Sequence, residues 1–108
     1  GWPLKGPTRR ALRWDGSCMY MHTYGGPWRD WTPDDVCSLR ALADSHRAAA
    51  TPFDIVVGGR PRDDDWGKDR ALIGSLAEAE ATWYVEYAPP NELDVMRTRI
   101  ERGPLRTG

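Results

Sequence analysis

Hydrophobic positions along this chain follow two different periods. Val36, Leu39 and Ala43 recur at the spacing of one helix face. Phe53 to Val57 is instead an almost continuous apolar run, which is typical of a parallel strand buried on both faces. The same two patterns return elsewhere. They predict helices over 7–14, 33–49, 68–80 and 92–102, and strands over 17–21, 53–57 and 82–87.

Capping and breaking residues support these boundaries. Thr32 is expected to cap the second helix, with Pro33 at its first position, where the missing N–H costs nothing. Gly58-Gly59 should end the central strand. Asn91 is expected to cap the last helix, with Asp94 as a weak capping-box partner.

Strands that alternate with helices indicate βαβ units, a parallel sheet and right-handed crossovers. The predicted fold class is therefore α/β, with about three parallel strands and four helices in a single unit spanning residues 1–108. Three strands leave at least one sheet edge with unpaired backbone groups.

Composition excludes several classes of protein. The 108 residues hold 15 basic and 16 acidic side chains, and a net charge of −1 argues against a nucleic-acid-binding module. No apolar run approaches the ~20 residues that span a bilayer, so no membrane partner is expected. Two cysteines do not make a disulfide scaffold, no signal-peptide pattern is visible, and the expected compartment is the cytoplasm. Six tryptophans are many for this length, which favours burial against a partner.

Several segments resemble the C-terminal part of the luciferase-like monooxygenases, which are flavin- or deazaflavin-dependent TIM-barrel enzymes. No single segment is a catalytic signature, but their order and spacing together are fairly specific. The segments are RRALRWDG at 9–16, TPDD at 32–35, PFDIVVGG at 52–59, AEATWYVE at 79–86 and RIERGPLR at 99–106. Glu80 stands where the family commonly has Gly.

The resemblance implies the last three strands of an eight-stranded barrel, hence a partial TIM barrel, since a whole one takes about 250 residues. It also implies an oxidoreductase or monooxygenase segment that contributes the cofactor-phosphate side. The cofactor would be FMN or a deazaflavin, and the substrate a small organic molecule. The partner would be a second copy or the missing N-terminal half-barrel.

The resemblance places Gly58, Gly59 and Arg60 after the seventh barrel strand. In TIM barrels the loops after strands seven and eight often bind phosphate. The two glycines would let backbone N–H groups approach a phosphate, and Arg60 would neutralise it. The alternative is that the glycines simply turn the chain off the strand.

His22 and Glu86 are the substrate-side candidates, because each follows or ends a predicted strand at the same rim. His22 would donate a proton or contact substrate, or else is a solvated loop histidine. Glu86 would bond a cofactor, or else pairs with a neighbouring arginine. No metal site is expected, because the spacing of the cysteines and histidines is not that of a zinc site. The Asp63–Asp65 run is expected to be a solvated loop, and the arginines of the last helix to suit its dipole.

Two functions therefore compete. One is the oxidoreductase segment just described. The other is a non-catalytic barrel fragment that self-associates and binds no cofactor tightly.

Overall fold

The computed structural model describes residues 1–21, 23, 25, 29–48 and 51–106, so the candidate His22 lies outside the described residues. Within them, four helices alternate with three strands, which confirms the predicted α/β class. The helices are α1 (Lys5–Ala11), α2 (Pro33–His46), α3 (Trp66–Glu78) and α4 (Leu93–Arg102); the strands are β1 (Gly16–Ser17), β2 (Asp54–Gly58) and β3 (Trp83–Val85). None of the described helices is both long and apolar enough to cross a membrane.

The strands form a parallel sheet in the order β1-β2-β3, which is also their order in the chain. A parallel bridge between Trp2 and Met21 continues the series at the β1 edge. A doubly wound sheet would reverse its strand order and carry helices on both faces. Strands in chain order are instead typical of a barrel, so the fold is a partial, barrel-like α/β arrangement.

The two faces of the sheet differ in their cover. Ile55 and Val57 point to the face that α2 and α3 cover, where they are buried with Leu39 and Leu76. Val56 points the other way, to what we call the open face. Register pairs Val56 with Trp83 and Gly58 with Val85, so these four residues share the open face. Trp83 and Tyr84 lie on opposite faces, with Tyr84 beside Val57 on the covered side.

Two of the four described helices, α2 and α3, begin at a side-chain cap. The first helix begins at Lys5, two residues before the predicted Pro7, after Leu4, which makes no side-chain cap bond. Thr32 accepts from the backbone N–H of Asp35, whose carboxylate accepts in return from that of Thr32, so the predicted cap of α2 is a full capping box. Asp65, predicted to be solvated, caps α3 by accepting from the backbone N–H of Lys68. Asn91 does not cap α4: the N-cap is Glu92, and it makes no side-chain cap bond.

The first strand is much shorter than the predicted 17–21: β1 consists of Gly16 and Ser17 only. Trp31 Nε1 donates to the carbonyl oxygen of Met19 at 3.2 Å, so a side chain occupies an acceptor that a neighbouring strand would otherwise use. The indole of Trp31 also stacks on Trp2, with ring centroids 5.9 Å apart. The side chains of Trp2 and Trp31 thus pack at the end of this segment, where a longer strand would have made further backbone hydrogen bonds.

Gly58 is required by the sheet itself. Its φ is +111°, and a Cβ there would lie 2.2 Å from the carbonyl oxygen of Val85. The close approach expected at this glycine is therefore to the backbone of β3, which lies inside the protein.

Candidate functional site at the carboxyl ends of the strands

The loops that follow β1, β2 and β3 meet at the end of the sheet where the strands have their carboxyl ends. We call this end the rim. Parallel strands deliver their carboxyl ends to the same side, and barrel enzymes build their active sites there. Gly58, Gly59, Arg60 and Glu86 all lie at this rim, as predicted from sequence. The chain bends at Arg60 after the end of β2 and continues through Pro61 to Arg62. The two arginines reach different carboxylates.

Arg60 joins separate segments of the rim. Its Nε lies 3.0 Å from Asp30, its Nη2 pairs with Asp69, and its Nη1 lies 4.0 Å from Asp63. Burial acts to lower the pKa of Arg60, but the carboxylates of Asp30 and Asp69 outweigh it and raise the pKa. Its backbone carbonyl accepts from the N–H of Tyr87 at 3.1 Å. Arg60 is therefore a charged brace that holds these loops together.

These contacts bear directly on the predicted phosphate site at residues 58–60. The N–H of Gly59 already donates to the carbonyl oxygen of Val85 at 2.8 Å. Arg60 faces the carboxylates just described, and an incoming phosphate would meet their repulsion. The residues as arranged do not fit a phosphate group.

Asp69 is a buried carboxylate that sequence reasoning missed. Asp69 is only 3% exposed, and its Oδ2 accepts from the backbone N–H of Asp63 at 2.7 Å. Buried carboxylates are rare unless paired, and this one is satisfied on both oxygens. Asp69 thereby ties the loop after β2 to the first turn of α3.

Arg62 forms a second network at the rim. Its Nε and Nη2 donate to the two oxygens of Glu86, each at 2.9 Å, and Nη2 also donates to the carbonyl oxygen of Gly103 at 3.0 Å. Its guanidinium carbon lies 4.3 Å from the ring centre of Trp66. Glu86 is thus paired with an arginine, which was the alternative weighed for it from sequence. The bidentate pair fixes the end of β3 against the loop after β2.

The Arg62 guanidinium has one nitrogen left over. The Arg62 side chain is only 2% exposed, and its Nη1 is buried without a hydrogen-bond partner among the described residues. Nη1 of Arg99 in α4 is in the same condition. Both arginines line a cleft of about 280 Å³ beside Glu86.

Tyr84 lies near the Arg60 network. Burial raises the pKa of this phenol; Arg60 opposes the rise, and Asp30 and Asp69 add to it. Tyr84 therefore stays protonated at neutral pH. No group of three or more potential metal ligands occurs in the part of the chain that the structure describes.

Arginines at the opposite end of the sheet make different contacts. A cleft of about 590 Å³ there is lined by Arg40 and Arg47. Arg40 donates to the carbonyl oxygens of Phe53 at 2.8 Å and Glu80 at 2.9 Å. Arg47 donates to those of Leu12, Trp14 and Pro52. Both arginines donate hydrogen bonds that join separate backbone segments, so a structural role accounts for their position in this cleft.

No protein-family model, no curated protein and no solved structure matches the chain. The topology and the chemistry of the rim are therefore the observations from which function is argued.

Proposed function

We propose that this chain forms the C-terminal βα units of a luciferase-like, flavin- or deazaflavin-dependent oxidoreductase or monooxygenase. The observation that supports this most is the open face of a parallel sheet whose strands run in chain order. A barrel segment must bury one sheet face under helices and turn the other towards the barrel interior.

The side chains of the open face suit such an interior. Trp83 is 64% exposed and Val85 48% exposed, although both belong to a strand. Tyr87, two residues beyond Val85, is also exposed. Large apolar side chains grouped in this way mark a surface that another part of a protein covers. Further barrel strands would cover this one.

On this proposal residues 58–60 contribute shape rather than a phosphate site. Arg60 and Arg62 hold the loops after the strands through ion pairs with carboxylates, and Gly58 lets β3 approach. The apolar side chains of Val56 and Val85 would form a wall against a flavin ring. The bound cofactor would supply the redox chemistry.

A titration of the chain with FMN and with riboflavin, followed by NMR chemical shifts, tests the proposal. The two flavins differ only in the phosphate. We expect both to bind weakly, on the order of millimolar or about 4 kcal/mol, with shifts at Gly58 and Val85. Val85→Lys should abolish these shifts, whereas Val95→Lys, at an exposed valine of α4, should keep them.

Each other outcome is informative. An absence of shifts with either flavin would contradict the proposal. Tighter binding of FMN than of riboflavin, with shifts at residues 58–60, would restore the phosphate site predicted from sequence and refute the geometric argument against it.

The same open face also favours a second candidate, a non-catalytic fragment that self-associates and binds no cofactor tightly. Sedimentation velocity separates the two in combination with the titration. A dimer that Val85→Lys dissociates and Val95→Lys does not, in a chain without flavin shifts, would favour the fragment. A monomer at all concentrations would exclude it.

A further inference from the structure

A cleft lies between the rim and the last helix, and we call it the α4 cleft. Its rim wall carries Arg62 and Glu86, and its helix wall carries Arg99 and Ile100. Among these side chains there are two guanidinium groups and one carboxylate. The cleft therefore has an excess of positive charge.

Arg62 is held in a fixed position. Four of its contacts have been described: two to Glu86, one to the carbonyl oxygen of Gly103 and one to the ring of Trp66. Both oxygens of Glu86 accept from Nε and Nη2 of Arg62, so Glu86 does not provide an acceptor for Nη1. A buried terminal guanidinium nitrogen without an acceptor is unusual, because native proteins satisfy nearly all such groups with protein, water or ligand.

Arg99 presents the same problem from the opposite wall. Its side chain makes no hydrogen bond or ion pair within the described residues, and its Nη1 is buried. The other arginines with a buried, unbonded nitrogen, namely Arg40, Arg47 and Arg60, leave only Nε in that state. Terminal nitrogens, which are the ones that reach a ligand, are left over in the α4 cleft.

Few contacts anchor the helix that carries Arg99: its C-cap Gly103 accepts from Arg62, and the guanidinium carbon of Arg102 lies 5.0 Å from the ring centre of Trp66. No residue of α4 is buried, and Leu93 and Ile100 are more than half exposed. An acceptor placed between Arg62 and Arg99 would therefore connect α4 to the rim as well as satisfy both nitrogens.

We propose that the α4 cleft binds a phosphate group, with Nη1 of Arg62 and Nη1 of Arg99 donating to different oxygens. A phosphate offers three or more acceptor oxygens in a tetrahedral array, so two donors from opposite walls can each find one. The apolar side chains of Ile100 and Pro104 in the same cleft would accept the organic part of a phosphate monoester. The site does not depend on the proposed flavin chemistry, because it is argued from residues outside the 58–60 segment.

The test uses the full chain with inorganic phosphate, glycerol 3-phosphate and acetate, all at one ionic strength, followed by NMR and by isothermal calorimetry. We expect both phosphate probes to bind, with shifts in Arg62, Arg99 and Gly103, and acetate to bind at least tenfold more weakly. A tighter glycerol 3-phosphate complex would identify an ester as the ligand, whereas equal affinities would identify free phosphate.

Arg99→Gln and Arg97→Gln are a matched pair. Both remove one positive charge from α4, but Arg97 is exposed and does not line the cleft. We expect Arg99→Gln to weaken phosphate binding at least tenfold and Arg97→Gln to change it less than twofold. Neither variant removes a contact seen in the protein, so both should fold.

Three results would overturn the proposal: no phosphate binding, equal effects of the two variants, or acetate as strong as phosphate. The flavin proposal is judged separately, by the shifts that riboflavin, which carries no phosphate, causes at Gly58 and Val85.

Discussion

The covered and open faces of the sheet come from the same strands yet meet opposite surroundings. Ile55 is completely buried under the helices, whereas Val56, the next residue, faces the open side with the exposed Trp83 and Val85. The continuous apolar run of β2 is suited to burial on both faces, and the described chain covers only one of them. The composition of a strand thus favours burial on both faces even where the described residues cover only one of them.

The largest expected effect is at Gly58, which belongs to the open face. Gly58→Ala should destabilise the protein by about 2–6 kcal/mol, because it combines strain at a left-handed φ with a clash against the Val85 carbonyl. Urea unfolding measures this. Gly74→Ala is the control, since nothing lies within 4 Å of a Cβ at that helical glycine, and it should stabilise by up to about 1 kcal/mol. A loss at Gly58 below about 1 kcal/mol would refute the close approach of β3.

A matched pair of truncations compares the two faces directly. Ile55→Ala should cost about 2–5 kcal/mol, because it opens a cavity between β2 and the helices. Val85→Ala should cost less than about 1 kcal/mol, since its side chain is half exposed. Similar losses in urea unfolding would mean that the open face is already covered in solution.

An element of this fold could be predicted from the sequence when the residues that determine it are close together in the chain. The helix α2 was predictable, because Thr32 and Asp35 form its cap within four residues and Leu39 lies on its apolar face. The extent of β1 was not, because it ends where Trp31, a residue of a later loop, takes the Met19 carbonyl.

The rim could be located from sequence, but its contacts could not. Gly58, Gly59 and Arg60 were singled out correctly as rim residues, while their main partners lie elsewhere in the chain. Asp69 stands between Lys68 and Arg70 at the start of a predicted helix, where no local pattern marks it as buried, and its partner Arg60 lies nine residues earlier. Arg62 was not singled out from the sequence, because its partners Glu86 and Gly103 are 24 and 41 residues away.

A smaller effect is expected at the cap of the covering helix α2. Burial acts to raise the pKa of Asp35, but hydrogen bonds from Arg29, Thr32 and Trp2 outweigh it and lower the pKa. The stability that Asp35 contributes is therefore present above the unfolded-state pKa of about 3.9 and is lost as pH falls through the lower folded-state value. Asp35→Asn should destabilise by about 1 kcal/mol at pH 7 and should flatten the acid limb of stability against pH. An unchanged acid limb would contradict the hydrogen-bonded carboxylate.

The smallest effect is a gain at the end of the other covering helix, α3. Glu80 has a φ of +77°, a conformation that favours glycine. Glu80→Gly should stabilise by about 1 kcal/mol, by relief of the left-handed strain. Glu80→Ala is the control: it removes the same exposed carboxylate but keeps the Cβ, so its thermal midpoint should stay near that of the wild type. A gain with alanine as large as with glycine would attribute the effect to charge.

The order of the strands has a consequence for how such a chain can change over generations. Each strand pairs only with strands that are its neighbours in the chain, so no connection passes over another one. A unit of one strand and one helix can therefore be duplicated, lost or exchanged at either edge without rerouting the remaining loops. Recombination points between a helix and the following strand would leave each unit intact, and the sheet offers the same kind of edge to whatever unit is joined next.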